Sequence, residues 1–490
     1  MYLLKRLEVI SLINLIKNEL YKIFHKKGIY VVLIITALYT LLTNFIYNSD
    51  FIENANLEDS LEIEIQFATT LEEENETDSE EYLNSKIYIA TYKYAKSFGE
   101  DSWQSYILIE NEDYYSRVYD IISRITKYEL NQTNNIDDYN SYESAKKEKE
   151  ALTQELKNID WKEFLNKELI EANQNLVNAK SENEKYLYQA RIDTLNLRLK
   201  YDIKYGYDEF NEYLMTYQRN HSTELSYQNV DEKTLKQDQI NNKKEAIKES
   251  ELAKYKIENH IEQIPYGSNH YIFTDFYTEY FIMILILIVL ISGSIVSDEF
   301  SKGTIKLLLV KPYSRIKILM SKYITVLLMV LFSIVVTFLL QMIIGGLFFG
   351  YDSLSIPYIV YNLSTNSIEA VPVLKYFLLL TISILPQLIL LATLGFTLST
   401  IFTSTSIANT LTIVGAFGSD IINALAQSFE IEPLKFFVTL NWDWSVYLFG
   451  GISPYKGVTF PFSVIICLIY LIIMLVVTTI VFKKKNIKNV

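Results

Sequence analysis

The chain has 490 residues, half of them hydrophobic, and a formal net charge of −13. So acidic a balance is wrong for a nucleic-acid partner, which recruits Lys/Arg-rich surfaces. A single cysteine, Cys467, excludes a disulfide framework within one chain.

The apolar residues are gathered into runs, each of about 20 residues or more, the length that crosses a bilayer. Residues 1–28 precede the first run and are too polar to span. The first apolar run is span-length and is followed by no Ala-x-Ala site, so a cleavable signal peptide is not expected. The expected spans are 29–48, 277–297, 319–350 and 460–482. Between Tyr376 and Ser419 there is no charged residue, a stretch too long for one helix. It divides into spans 374–398 and 407–426, with Ser399-Thr400 and Thr403–Ser406 at the turn. The count is six.

Residues 49–276 form one large polar insert. Leu165, Leu169, Ala172, Leu176, Ala179, Asn183, Tyr186 and Ala190 follow the alternating four-and-three spacing of a coiled-coil seam. Ala145–Asn158 and Glu232–Ile261 are rich in helix formers and are placed to return alongside it. Tyrosines are dense over 84–130, as core filling or, less simply, as a recognition surface. The expected fold is therefore an all-α membrane protein with six transmembrane helices and a mainly helical, coiled-coil-containing extracellular domain.

Charge sets the orientation. Residues 50–275 carry 47 acids against 26 Lys/Arg. Of the 19 bases outside that stretch, 16 lie before the first span, between the second and third spans, or in the tail 483–490. Cytoplasmic loops collect such residues, so both termini are expected in the cytoplasm and the acidic insert outside. In the fifth span, Asn409, Thr412, Asp420 and Asn423 are polar groups that hydrocarbon penalises unless they face protein or water. They are the pathway candidates. Residues 427–459 hold Phe436, Phe437, Trp442, Trp444 and Tyr447, the density of an interfacial belt.

Enzyme chemistry is hard to find. No G-x-x-x-x-G-K-[ST] loop is present, so ATP should not bind to this chain itself. The four histidines fall in no metal-ligand spacing, and no cofactor or metal is expected here.

The segment Ser297–Lys322, SDEFSKGTIKLLLVKPYSRIKILMSK, carries six Lys/Arg and two acids between two apolar runs. Gly303 loosens its first helix, Pro312 stops it, and Ser314 is placed to cap the next. Glu299, Gly303-Thr304, Leu307-Leu308, Pro312, Ser314-Arg315 and Lys322 resemble, in order, the motif of type-2 ABC transporter permeases. Leu12–Gly28, which includes Glu19, resembles the same family's opening cytoplasmic amphipathic, or elbow, helix. The resemblance covers roughly residues 10–48 and 277–485 and not the insert.

It implies that Glu299, Gly303, Thr304, Leu307, Pro312, Ser314 and Arg315 form a coupling segment over 298–318, and that Glu19 serves in the elbow. It also implies two cytoplasmic ABC ATPase subunits that bind ATP and Mg, and a second copy of the chain or a related permease. Residues 427–459 would then re-enter the outer face. The expected activity is export of a peptide, antibiotic or lipid-like substrate across a bacterial plasma membrane. The alternative is a permease-like receptor or scaffold with a ligand-binding ectodomain and no motor.

Overall fold

The computed structural model describes residues 2–48, 69–70, 80–99, 101–131, 136–265, 267–306, 313–429, 432–453 and 455–485. They fall into two compact units: residues 1–48 with 264–490, and residues 49–263.

The first unit opens with α1 (Tyr2–Phe24) and α2 (Lys27–Asn48). In α1, Leu15, Glu19 and Ile23 recur every fourth residue and are all buried, so an acid sits in the apolar stripe of an amphipathic helix. The second unit contributes α3 (Glu80–Lys96), α4 (Trp103–Glu110), α5 (Glu112–Asn131), α6 (Ile136–Asn158), α7 (Trp161–Asn178), α8 (Glu182–Lys200), α9 (Glu209–Ser226) and α10 (Gln237–Glu258). The chain then returns to the first unit as α11 (Asn269–Thr274), α12 (Phe276–Ser292), α13 (Ser297–Ser301) and α14 (Arg315–Phe349). After α14 come β1 (Tyr358–Asn362), β2 (Ser367–Val371), α15 (Val373–Ile401), α16 (Thr405–Phe429) and α17 (Phe460–Lys484).

Among the described residues, α2, α14, α15 and α17 are long and apolar enough to cross a membrane. The protein is thus mainly α-helical and membrane-associated. The expected second span corresponds to the shorter apolar helix α12, 17 residues long, and the expected fifth span to α16. Of the expected turn at 399–406, only 402–404 separate α15 from α16; 399–401 end α15 and 405–406 open α16. Side chains such as Leu41, Phe45, Leu339, Leu347 and Ile472 point outward, as lipid-facing positions do. Inside, Phe273, Phe276, Tyr280, Ile284, Ile288, Phe377, Leu388 and Phe396 make one continuous core. The strands β1 and β2 form an antiparallel hairpin with Tyr358 opposite Val371, which the helical pattern of the sequence did not suggest. In 427–459 the described residues contain three short 3-10 helices, Glu432–Phe436, Val438–Leu440 and Ser445–Gly450.

The second unit corrects the reading of one continuous seam from Leu165 to Ala190. The chain turns between Asn178 and Glu182, where Ser181 Oγ accepts from Glu184 N at 3.2 Å and caps a new helix. The two halves of the seam therefore lie on α7 and α8, which pack together as neighbours. Leu165 and Ala172 are buried, with Leu169 and Leu176 against the same core as Trp103, Leu108, Val118, Leu152 and Phe164. Tyr94 and Tyr106 belong to that core too, so these tyrosines of 84–130 fill it. A smaller cluster of Leu197, Tyr213, Leu214, Tyr217, Ala253 and Ile257 joins α8, α9 and α10.

Candidate functional site

At the junction of α1, α13 and α14, two acids and two lysines close a ring. Lys322 Nζ donates to Glu19 Oε2 at 2.6 Å and to Glu299 Oε1 at 3.3 Å. Lys22 Nζ donates to Glu19 Oε1 at 3.0 Å and to the same Glu299 Oε1 at 2.8 Å. The third lysine proton of Lys322 goes to the Ile295 carbonyl at 3.1 Å. Thr304 Oγ1 donates to Glu299 Oε2 at 2.7 Å. The Lys322 side chain is wholly buried and Glu19 and Glu299 nearly so, while Lys22 remains 37% exposed.

Burying Lys322, Glu19 and Glu299 is tolerable only because each meets an opposite partner, and with the half-exposed Lys22 the two positive and two negative charges balance. Burial by itself would raise the Glu299 carboxyl. The charge of Lys322 and the hydrogen bonds from Lys22 and Thr304 outweigh it and bring the group down to about 2. Burial would likewise lower Lys22, yet its bonds and proximity to Glu299 and Glu19 raise it. Beside the ring, Lys26 Nζ donates to Asp298 Oδ2 at 2.5 Å and to Ser294 Oγ at 3.2 Å. Residues 298 and 299 are thus fastened at two adjacent points, to α1 through Lys22 and to the connection between α1 and α2 through Lys26.

Glu19, Glu299 and Thr304 are therefore brought together, with Lys22 as the member that motif reading missed. Its signal was available, since it stands three residues after Glu19 on the same helix face. Gly303 follows α13 at φ +67°, a left-handed conformation that favours glycine, with open space where a side chain would go. Ser314 caps α14, its Oγ accepting from Lys317 N at 3.3 Å. Arg315 points elsewhere: its Nη1 donates to the Lys483 carbonyl at 2.9 Å. Leu307 and Pro312 lie outside the described residues.

Among the described side chains, the pathway candidates do not all converge. Thr412 is buried and donates to the Ala408 carbonyl at 2.7 Å. Asn409 presses on α12 next to Gly293, where an added Cβ would fall 2.0 Å from Asn409 Oδ1. Asn423 donates to the Thr439 carbonyl at 3.2 Å, in another neighbourhood. Asp420 lies in α16, and its side chain falls outside the described residues. A different polar group sits inside the helices. Gln341 Oε1 accepts from Asn44 Nδ2 at 2.8 Å and from Tyr280 OH at 2.5 Å, and Gln341 Nε2 donates to Asn44 Oδ1 and Asn269 Oδ1, both at 3.1 Å. Among the described residues no group of three or more His, Cys, Asp or Glu could hold a metal ion.

Comparison with known proteins adds similarity and no activity. A family model described as "Protein of unknown function (DUF2705)" matches residues 248–488. "Uncharacterized protein YhcI" of Bacillus subtilis (strain 168) is 31% identical over 201 residues, 41% of this chain and 64% of that protein. "Uncharacterized membrane protein YdbK" of the same organism is 28% identical over 207 residues, 42% of this chain and 79% of that protein. The match thus spans less than two thirds of YhcI's length. No solved structure matches the chain.

Proposed function

We propose that the chain is the permease subunit of an ATP-driven ABC exporter, moving a peptide, antibiotic or lipid-like substrate outward. In this reading six helices span the plasma membrane, both termini are cytoplasmic and residues 50–275 are outside. Two ABC ATPase subunits carry ATP and Mg, and a second copy or a related permease completes the pathway. The similarity to YdbK, whose name calls it a membrane protein, agrees with the membrane setting.

The observation that carries the reading is the ring of Glu19, Lys22, Glu299 and Lys322. A segment that a motor is to push must be braced against the spans, and this ring braces the segment bearing the permease-like motif. ATP-driven closure of the ATPase dimer would move residues 298–316, and α1, α12 and α14 would move with them. The work comes from the partner; this chain couples it to the substrate's passage.

The test is purification of the tagged full-length chain from its native membrane in mild detergent. An ABC ATPase should accompany it, and Glu299→Arg should abolish the response of that ATPase to the permease while leaving the chain in the membrane. A chain that purifies with no ATPase refutes the reading and leaves the receptor alternative.

A further inference from the structure

We propose, on the exporter reading above, that the C-terminal end of α17 belongs to the coupling apparatus through Phe482 and Lys485, the residue that caps the helix, and that Lys485 is its positioning residue. In sequence, Lys483, Lys484 and Lys485 are three equivalent positive-inside markers. The structure separates them. Lys483 and Lys484 are exposed, whereas Lys485 turns inward.

The Lys485 ammonium donates to the Thr400 carbonyl at 2.7 Å and to the Ile401 carbonyl at 3.2 Å. These are the last carbonyls of α15, which helix geometry leaves without internal partners and at the negative end of the helix dipole. The same ammonium stands 4.3 Å from the centroid of the Phe300 ring, a cation–π contact. Phe300, next to Glu299 in the chain, is buried and meets the buried Phe482 edge to face, with ring centroids 6.4 Å apart. Arg315 closes the arrangement by donating to the Lys483 carbonyl, a terminal carbonyl of α17.

The short helix α13 is therefore held from two sides. Glu299 is tied by charge to α1 and α14, and Phe300 is clasped by Phe482 of α17 and by Lys485, which caps that helix. Through Lys485 the clasp also reaches α15. A displacement of α13 is delivered to α15 and α17, to which it has no direct chain connection, as well as to α12 and α14.

The experiment uses the full-length chain purified with its ATPase and reconstituted in phosphatidylethanolamine–phosphatidylglycerol vesicles, reading ATP hydrolysis per complex. Lys485→Met should lower hydrolysis by about five-fold or more at unchanged subunit ratio and melting temperature, and Lys485→Arg should restore it. Lys484→Gln removes the same charge without touching the clasp and should hydrolyse at the wild-type rate. If Lys485→Met is not recovered as a complex, Phe300→Leu takes its place, keeping burial and losing the ring, with a fall of the same kind expected. Wild-type hydrolysis in Lys485→Met or Phe300→Leu, or an equal loss in Lys484→Gln, overturns the clasp while the exporter reading stands. Absence of any ATPase with the wild-type chain overturns both.

Discussion

Glu19 and Lys322 lie 303 positions apart in the chain and meet at 2.6 Å in its interior. Neither has an alternative in water, because the Lys322 side chain is fully buried and Glu19 is 4% exposed. Removing one member of such a pair is far more harmful than removing both, since the survivor remains as an uncompensated buried charge.

Lys322→Met should therefore destabilise the first unit by about 3–5 kcal/mol, seen as a large drop in the melting temperature of the detergent-solubilised chain. The double change Glu19→Gln with Lys322→Met should recover part of the loss, because the two sites are coupled. Strict additivity of the two single effects would contradict the ring.

Acid should open the same joint. Glu299 titrates near 2 in the folded chain against 4.5 ordinarily. A depressed carboxyl contributes stability that is present above its unfolded value and is lost as pH falls toward the folded one. Melting temperature should hold steady down to about pH 4.5 and then fall toward pH 2. Thr304→Val removes one bond that holds the carboxyl down, so the decline should still begin near pH 4.5 but be smaller and end at a higher pH. A Glu299→Gln chain with an unchanged acid limb would assign the decline to other groups.

Gln341 organises three side chains from α2, α11 and α12. Gln341→Leu would leave Asn44 and Asn269 short of partners inside the protein, at about 1–3 kcal/mol for each group stranded. Gly345→Val should act on the same site, since a Cβ there would fall 2.3 Å from Asn269 Oδ1 and Gln341 Nε2. Thermal melts of both variants near the wild-type value would show that the amide group is not a structural knot.

Residues 49–263 should be soluble and helical when produced alone, given their separate core and acidic balance. Leu169→Asp with Leu176→Asp places charge against that core and should collapse the helical circular-dichroism signal; insensitivity would rule out the α7–α8 packing. Within it, burial would lower His221, but hydrogen bonds to Asp193 and Glu224 at 3.1 and 3.0 Å raise it to about 9. A raised histidine stabilises fully below its ordinary value of 6.5 and loses that contribution as pH climbs through 9. Melting should fall between those limits, and His221→Gln should flatten the profile.

Orientation is testable in whole cells. With Cys467 replaced by serine, Lys185→Cys should react with an impermeant maleimide and Lys488→Cys should not. The reverse pattern would invert the proposed topology.

What the sequence made legible was local. Ser314 could be read as a cap because its partner is three residues away, and Glu299 and Thr304 because they fall in one short motif. The helix break at 402–404 showed in a run of Ser and Thr. Lys22 and Gln341 act across 277 and 297 positions, separations for which a single sequence offers no spacing rule. The seam over 165–190 misled because its four-and-three rhythm continues through a turn, whose evidence is only the capping chemistry of Ser181. The hairpin Tyr358–Val371 escaped because its strands are five residues each, too short for a clear alternation.

The ring of Glu19, Lys22, Glu299 and Lys322 contains as many positive as negative charges, and so does the Lys26–Asp298 pair beside it. If these groups travel as one block, they carry no net charge with them. Transmembrane voltage does work only on net charge displaced through it, about 2.3 kcal/mol per elementary charge per 100 mV. On the proposed topology, the joint can therefore shift without the membrane potential aiding or opposing it.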